Sequence, residues 1–403
     1  MDQVLLAPRP AHVPPERVVD WDMYSPPGVE DDFHRAWARL LADDVPDVVW
    51  TPRNGGHWIA ARGALIHEIY GDYKRFSNRI IVVPKEVGEM HHLLPTTLDP
   101  PEHRPFRTLL NENLAPKAIR GLEEKIREQA VDLIESFRSQ GHCDFIAQYS
   151  AEFPIRIFMS IVDLPMTDAP RLKYLTDQIT RPDGSMTLAE AKRQYFDYLG
   201  PIVDARMGSD RTDMLSRLVN GVVDGRPLTR TEALEITTQI IIAGLDTVVN
   251  FLGFVMQFLA TDSNHRRQLV ANPDLIPAAV EELIRRYPLV TIAREVKEDM
   301  EFAGVALKAG EMILIPSPLH GIDPRANKDP FKFDLNRTDS AHTTFGNGPH
   351  RCPGANLART EIRVTMEEWL ARIPDFEIEP GFKVRYHGGI VGCVDKLPLI
   401  WKP

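Results

Sequence analysis

The chain has 403 residues, 43% of them hydrophobic and 26% charged, which is typical of a globular protein with a full apolar core. Its formal net charge of −10 argues against a general nucleic-acid-binding protein. The three cysteines, Cys143, Cys352 and Cys393, are too few and too far apart for a disulfide framework, so we expect a reducing, cytoplasmic environment.

The hydrophobic pattern predicts a mainly helical chain with a small β part. After a proline-rich first 30 residues, expected to wrap the surface, helical periodicity covers 31–43, 105–140, 153–178, 187–207, 211–222, 229–261, 274–286 and 355–372. Strand-like runs occupy Val48–Thr51, His57–Ala61, Met300–Phe302, Met312–Pro316 and parts of the tail 375–400. Neither a repeat nor a low-complexity linker divides the chain, so we expect a single domain over residues 1–403.

Membrane insertion is not expected. The N-terminus lacks the basic region and long apolar run of a signal peptide. The segment Ile236–Ala260 is long enough to span a bilayer, but it is internal, contains several polar residues and lacks basic flanks. A helix buried in the core explains it better.

The middle of this apolar segment reads Ala243-Gly244-Leu245-Asp246-Thr247. Thr229-Arg-Thr-Glu232 is a capping box that predicts where the long helix begins. Burying a carboxylate and a hydroxyl in such a helix is costly without partners. The small residues at 243 and 244 would leave room beside them. A core aspartate satisfied by its neighbours explains the pattern as well as a functional pair does.

The most informative stretch is Phe345-Gly-Asn-Gly-Pro-His-Arg-Cys352-Pro-Gly354, which places one cysteine directly ahead of a predicted helix. A helix N-terminus and nearby cations stabilise a thiolate, and the glycines allow close approach to a flat, bulky group. Such a thiolate suits an axial ligand of haem iron. The spacing resembles the haem loop of the cytochrome P450 superfamily.

This resemblance covers nearly the whole chain. It implies the P450 fold, a triangular helical prism with a long central helix, and a haem-thiolate monooxygenase that uses dioxygen. The cofactor would be haem b, with Cys352 as the ligand of the iron and Phe345 and Gly354 lining the same loop. Asp246 and Thr247 would be the catalytic pair that serves oxygen activation and proton delivery.

The same resemblance assigns further residues. The haem propionates would be held by four side chains: His103, Arg107, Arg294 and His350. At His350 the commonest superfamily pattern has arginine. A buried ion network would act as scaffold and consist of Glu282, Arg285 and Arg337, although the E-x-x-R spacing also occurs at Glu124–Arg127 and Glu190–Arg193.

The closest group by resemblance is the bacterial camphor 5-monooxygenases, through segments 94–103, 181–187 and 244–251. Its apolar substrate wall would consist of Ile242, Ala243, Val290, Ile390 and Val391. This chain departs from the group at three positions: His91 replaces a tyrosine donor, Val82 a larger aromatic residue, and Ile292 an acidic residue. A larger pocket with a different polar anchor predicts a small cyclic terpenoid or norisoprenoid ketone, of the ionone type rather than camphor. His91 as a surface loop residue is an equally open reading.

Electrons must come from outside, because the chain shows neither a flavin nor a nicotinamide fingerprint. The resemblance implies a 2Fe–2S ferredoxin with its flavin reductase, a small hydrophobic substrate and a monomer. An acidic ferredoxin would need a basic patch, for which the candidates are Arg104, Arg351, Arg359 and Arg363. Alternative functions are a haem-thiolate sensor without turnover, a peroxide-driven enzyme, and a zinc hydrolase that uses His91, His92 and His103. The Asp246–Thr247 pair disfavours the first two of these.

Overall fold

The structure, a computed structural model, describes residues 6–403, and these are mainly helical as predicted. Fifteen α-helices lie in this range. In chain order they are α1 (Phe33–Ala38), α2 (Gly63–Gly71), α3 (Lys85–Met90), α4 (His103–Asn113), α5 (Pro116–Arg120), α6 (Glu123–Arg138), α7 (Phe153–Val162), α8 (Ala169–Thr180), α9 (Leu188–Arg206), α10 (Met214–Val219), α11 (Arg230–Thr261), α12 (Ser263–Ala271), α13 (Ile276–Arg286), α14 (Ser317–Ile322) and α15 (Ala355–Arg372).

The β part is small and consists of short strands. Within residues 6–403 these are β1 (Val48–Thr51), β2 (His57–Ala60), β3 (Phe76–Ser77), β4 (His142–Asp144), β5 (Val222–Val223), β6 (Arg226–Pro227), β7 (Thr291–Val296), β8 (Met300–Phe302), β9 (Val305–Leu307), β10 (Met312–Pro316), β11 (Glu377–Ile378), β12 (Tyr386–His387), β13 (Cys393–Val394) and β14 (Pro398–Ile400). The largest sheet has the strand order β1-β2-β10-β7-β3. In it, β10 pairs in parallel with β2 and antiparallel with β7.

The long helix α11 passes through the core and connects its two parts. Its 32 residues extend about 48 Å at 1.5 Å per residue. The predicted capping box at Thr229 and Glu232 is present at its N-terminus. One hydrophobic cluster contains its first half with α7–α10, and the other contains its second half with α15 and the main sheet. Among the described residues, α11 is the one helix that could cross a membrane by length and composition. The buried share of its most apolar window is 72%, as in a core helix.

The structure also corrects several predictions. The region 105–140 is divided into α4, α5 and α6, and Pro116 is the first residue of α5, where its fixed φ is tolerated. The region 153–178 is interrupted after α7, where Asp163 adopts a left-handed φ of 54°. Strand β7 was not predicted, because its Arg294 and Glu295 break the apolar pattern although both are buried. The N-terminal segment contributes to the core through Val13, Trp21, Met23 and Val29 rather than only covering it.

Candidate active site

The cysteine loop is a tight turn that leads directly into α15. The N–H of Cys352 donates to the carbonyl of Phe345 at 2.8 Å. Gly346 and Gly348 adopt φ angles of 69° and 66°, which glycine accepts at least cost. A Cβ added at Gly348 would lie 3.0 Å from the Cα of Gly71 at the end of α2. The glycines therefore fix the path of the loop against α2.

The thiol of Cys352 lies in an unusual electrostatic setting. It retains accessible surface, although protein surrounds it on most sides. Burial raises the pKa of the Cys352 thiol, while the backbone N–H of Gly354 and the cations of Arg107, Arg359 and Arg351 oppose that rise. A bound metal ion shifts such a balance fully toward the thiolate. The site therefore suits a thiolate ligand, whereas Cys143 and Cys393 are buried.

Accessible surface also appears in the middle of α11, where a core helix should have none. Ala243 is exposed and Thr247 and Val248 are half-buried, whereas Ile242 and Leu245 are buried. Protein side chains therefore leave a space beside this part of the helix. A large, flat group such as haem requires a space of this kind.

Hydrogen-bond donors gather beside the cysteine loop, and several of them have no acceptor in residues 6–403. His103, the first residue of α4, has its ring centroid 4.1 Å from that of His350. Arg294 on β7 is 1% exposed, and its guanidinium carbon lies 5.3 Å from the centroid of the Tyr70 ring. Arg107 donates to the carbonyl of Arg351. The four side chains predicted to hold the propionates therefore lie near one another and near the loop.

Several polar nitrogen atoms of these side chains are buried without a partner in the described chain. They are both ring nitrogens of His103, Nε2 of His350, and Nε and Nη2 of Arg294. Burial lowers the pKa of Arg294 to about 10 and that of His103 to about 4. Unpaired buried donors are costly, so the cluster requires an anionic acceptor. Haem carboxylates meet that requirement, and the residues present therefore fit haem.

Asp246 on α11 is 1% exposed and is held by several partners. Arg181 donates to both of its oxygens, at 2.9 and 2.6 Å. Lys173 and Asn250 donate to Oδ1 at 3.3 and 2.8 Å. Burial alone would raise the pKa of Asp246, but the Arg181 and Lys173 cations hold it below its usual range, so the carboxylate is ionised at neutral pH.

Thr247 makes the back-bond that its position predicts, but this bond is weak. Its hydroxyl donates to the carbonyl of Ala243 at 3.4 Å, close to the limit for a hydrogen bond. Gly244 also serves packing, which was not predicted. A Cβ added at Gly244 would lie 2.4 Å from the ring of Phe158, so this glycine lets α11 pack closely against α7. Accessible surface remains at Ala243, which is exposed, and at Gly244, which is half-buried.

The predicted scaffold network is present and buried. Glu282 accepts from Arg285 at 2.7 and 2.8 Å and from Arg337 at 3.0 Å. The side chains of Glu282 and Arg285 are 3% and 0% exposed. The two other E-x-x-R sequences differ: Glu190 and Arg193 form an exposed pair at 3.6 Å, and Arg127 pairs with Glu123, Glu367 and Glu368 instead of Glu124.

We expect Glu282→Gln to destabilise the protein by about 3–5 kcal/mol, because it leaves two buried guanidinium groups without their common carboxylate. Thermal unfolding of the loaded protein, followed by circular dichroism and by haem absorbance, measures this effect. Glu190→Gln in the exposed pair is the matched control and should change stability by less than about 1 kcal/mol. Equal effects of the two substitutions would contradict a structural role for the buried network.

The residues of the predicted substrate wall lie beside the ion pair of Asp246. Val290 forms a β-bridge with Val391, and the N–H of Thr291 donates to the carbonyl of Ile390 at 2.8 Å. Arg181 donates to the carbonyl of Val391 at 3.1 Å, which connects this wall to Asp246. Val82, 4% exposed, and Ile242 are buried.

His91 is the C-cap residue of α3. It is 6% exposed, so it is not an exposed surface histidine. Burial, together with the nearby Lys192 and His92, lowers the pKa of His91 to about 4. The ring is therefore neutral at neutral pH and has one N–H donor. Its ring makes no hydrogen bond to any residue in 6–403.

Sequence reasoning missed the roles of Arg181 and Lys173. Lys173, Asp177 and Arg181 follow one another at four-residue spacing, which places three charges on one face of α8 and its C-terminal residue. This spacing is a sequence signal that Lys173 and Arg181 contact a charged partner. The identity of that partner, the buried carboxylate of Asp246, depends on tertiary structure. A zinc site at His91, His92 and His103 is not supported, because no metal-binding group of three such side chains occurs within the described residues.

Comparisons with known proteins agree with this geometry. The family model described as Cytochrome P450 matches residues 186–381. "Probable cytochrome P450 127A1" of Sinorhizobium fredii is 33% identical over 98% of this chain and 97% of its own. "Cytochrome P450(BM-1)" of Priestia megaterium is 32% identical over 87% of this chain and 91% of its own. The crystal structure of CYP101J2 is similar with a TM-score of 0.91 and 48% identity, covering 98% of this chain and 100% of that one. The crystal structure of CYP101C1 is similar with a TM-score of 0.90 and 40% identity, covering 98% of this chain and 100% of that one.

Proposed function

The chain belongs to the cytochrome P450 family, and from this we propose that it hydroxylates a C–H bond of a small cyclic terpenoid or norisoprenoid ketone. The overall reaction is R–H + O₂ + two electrons + two protons → R–OH + water. The observation that carries the proposal is the pairing of an accessible cysteine at a helix N-terminus with a solvent-accessible gap in the middle of the core helix α11.

Haem b, the cofactor of this family, supplies dioxygen activation and oxygen insertion when it is bound. We propose that Cys352 is the ligand of its iron, with Phe345 and Gly354 supporting the loop. His103, Arg107, Arg294 and His350 would hold the propionates. As a thiolate, Cys352 would supply electron density to the metal. Glu282, Arg285 and Arg337 would fix the chain that leads into the loop.

Asp246 and Thr247 would deliver the two protons. The weak bond from Thr247 to the carbonyl of Ala243 leaves its hydroxyl free to turn and donate into the space beside α11. Lys173 touches Asp246 and also lines a surface cavity of about 700 Å³ between α6, α7 and α8. This contact supports a route by which protons reach the buried carboxylate from solvent.

The substrate is inferred from the polar and apolar groups available. The wall of Ile242, Ala243, Val290, Ile390 and Val391 offers contacts that discriminate weakly between hydrocarbons. The neutral ring of His91 makes no hydrogen bond to any residue in 6–403, so its N–H is available to donate to a ketone oxygen. Val82 in place of a larger side chain favours a ring larger than that of camphor. An ionone-type ketone combines these features.

We expect His91→Phe to weaken the binding of β-ionone about tenfold, the value of one buried hydrogen bond. Binding of the corresponding hydrocarbon without the carbonyl oxygen should change little, because it makes no such bond. Titration of the low- to high-spin absorbance shift measures both. Equal loss for the two ligands, or no loss for either, would remove His91 as the anchor.

The electron donor is proposed to be a 2Fe–2S ferredoxin with its flavin reductase. Of the candidate docking residues, Arg359 is paired with Glu281 at 2.6 Å and Arg363 with Glu123 at 2.7 Å. Arg104 and Arg351 are exposed and take part in no ion pair within residues 6–403. An acidic partner would therefore be recognised mainly through these two cations.

A single reconstitution tests the activity against a sensing role. The purified protein, loaded with haem, is supplied with β-ionone, dioxygen, a 2Fe–2S ferredoxin, its reductase and nicotinamide cofactor. A monooxygenase forms a hydroxylated product that carries oxygen from labelled dioxygen. Binding with a full spin shift but without product under reducing conditions would favour a sensor.

A further inference from the structure

The segment that carries His91 is too short to hold its own position. Helix α3 has six residues and no side-chain cap at Pro84. Helices of this length are not stable by themselves, so tertiary contacts must fix it. One such contact is Gly88, where an added Cβ would lie 2.4 Å from the Ile80 side chain. This packing fixes the inner side of α3, and the N–H of His91 donates to the carbonyl of Gly88 at 3.0 Å.

The residues after α3 are held by Lys192 on α9. Its Nζ donates to the backbone carbonyl of His92 at 2.6 Å. The ammonium also lies 5.4 Å from the centroid of the Phe196 ring, and the side chain is half-buried. A partly desolvated lysine with a short bond to a backbone carbonyl is a fixed contact rather than a mobile surface charge.

A second contact is made by the ring of His92, which is 48% exposed. Nδ1 of the His92 ring lies 3.3 Å from Oε1 of Glu235, near the start of α11. The Glu235 side chain is 13% exposed. The carbonyl of His92 is thus bound to Lys192 on α9, and the ring of His92 is bound to Glu235 on α11. His91 lies between these two contacts and the end of α3.

We propose that Lys192, supported by Glu235, is a positioning residue that sets the direction of the His91 donor and so determines selectivity for oxygenated substrates. This inference rests on the proposed function, because it requires His91 to be the anchor. Lys192 need not touch the substrate. It acts by fixing the backbone at the residue next to His91, so its loss should affect ligands that bond to His91 and spare those that do not.

The charged and titratable groups around this peptide are few. Lys192 comes from α9, Glu235 from α11, and His92 from the segment itself. Lys192→Met keeps the length and the apolar stem of the side chain but removes the ammonium. Lys192→Arg keeps a donor that can reach the carbonyl. Arg193→Met is the matched control, because Arg193 is exposed and, within residues 6–403, pairs with Glu190 and Asp197 on the same helix and with no other carboxylate.

The test is spin-shift titration of the haem-loaded variants with β-ionone and with its hydrocarbon analogue. Lys192→Met should weaken β-ionone binding about fivefold and leave hydrocarbon binding unchanged, while Lys192→Arg and Arg193→Met should bind both ligands like the parent protein. In a His91→Phe background, Lys192→Met should add no further loss.

The possible outcomes separate the two proposals. If His91→Phe is ketone-selective but Lys192→Met is not, the positioning role is wrong and the anchor stands. If Lys192→Met weakens both ligands equally, the lysine only stabilises the pocket. If His91→Phe shows no selectivity, the anchor is wrong and the positioning role falls with it.

Discussion

Replacing Cys352 with serine is expected to abolish hydroxylation and to remove the spectral signature of thiolate ligation. The hydroxyl of serine remains protonated at neutral pH and is a poor ligand for haem iron, whereas the thiolate is stabilised by the Gly354 N–H and nearby arginines. The reduced carbon monoxide adduct of the parent should show the long-wavelength Soret band of a thiolate-ligated haem. The variant should lack it.

Cys393→Ser provides the control for this experiment. Cys393 is buried on β13, and burial raises the pKa of its thiol to about 11, so it is not a competing thiolate. This variant should retain the thiolate band and most of the activity. A thiolate band that persists in Cys352→Ser but disappears in Cys393→Ser would reassign the iron ligand.

The second large effect is expected at Asp246. Asp246→Asn keeps the shape of the side chain but replaces one acceptor oxygen with an NH₂ donor and removes the charge that pairs with Arg181 and Lys173. Product formation should fall about 10²- to 10³-fold, within the range typical of general acid–base groups. Substrate binding, measured by spin-state titration, should change less than the rate, because Asp246 reaches the proposed substrate wall through Arg181, which donates to the carbonyl of Val391.

Asp177 offers a matched control for Asp246. It also pairs with Arg181 and Lys173, but its side chain is 35% exposed and lies toward solvent. Asp177→Asn should therefore reduce the rate only a few fold. If the two variants lose activity equally, the ion network as a whole matters and Asp246 has no separate role in proton delivery. A larger solvent isotope effect in Asp246→Asn alone would support the proton route.

The two halves of the site differed in how far the sequence could predict them. The cysteine loop is contiguous, so its glycines, its cysteine and the start of α15 were all visible in ten residues and are confirmed as local structure. The propionate cluster was assigned by resemblance, and the structure brings His103, Arg294 and His350 together. In both cases the sequence motifs were sufficient to predict which residues lie near the cysteine.

The distal side was predicted less well, because its chemistry depends on long-range contacts. Asp246 and Thr247 were identified, but the pairing of Asp246 with Arg181 joins residues 65 apart. The packing of Gly244 against Phe158 on a different helix was not predicted. Strand β7 was missed because Arg294 and Glu295 interrupt its apolar pattern, and Glu295 meets its partner Arg79, 216 residues away, only in the folded chain.

The division of α11 between two hydrophobic clusters has a consequence for the divergence of related enzymes. Its first half packs with α7–α10, and its second half packs with α15 and the main sheet. Of the proposed substrate wall, Ile242 belongs to the first cluster, whereas Val391 belongs to the second and Val290 and Ile390 pack against it. Substitutions confined to the first cluster therefore disturb a core largely separate from the one that supports the cysteine loop. Libraries confined to the first cluster should tolerate more mutations before haem retention fails than libraries of equal size in the second.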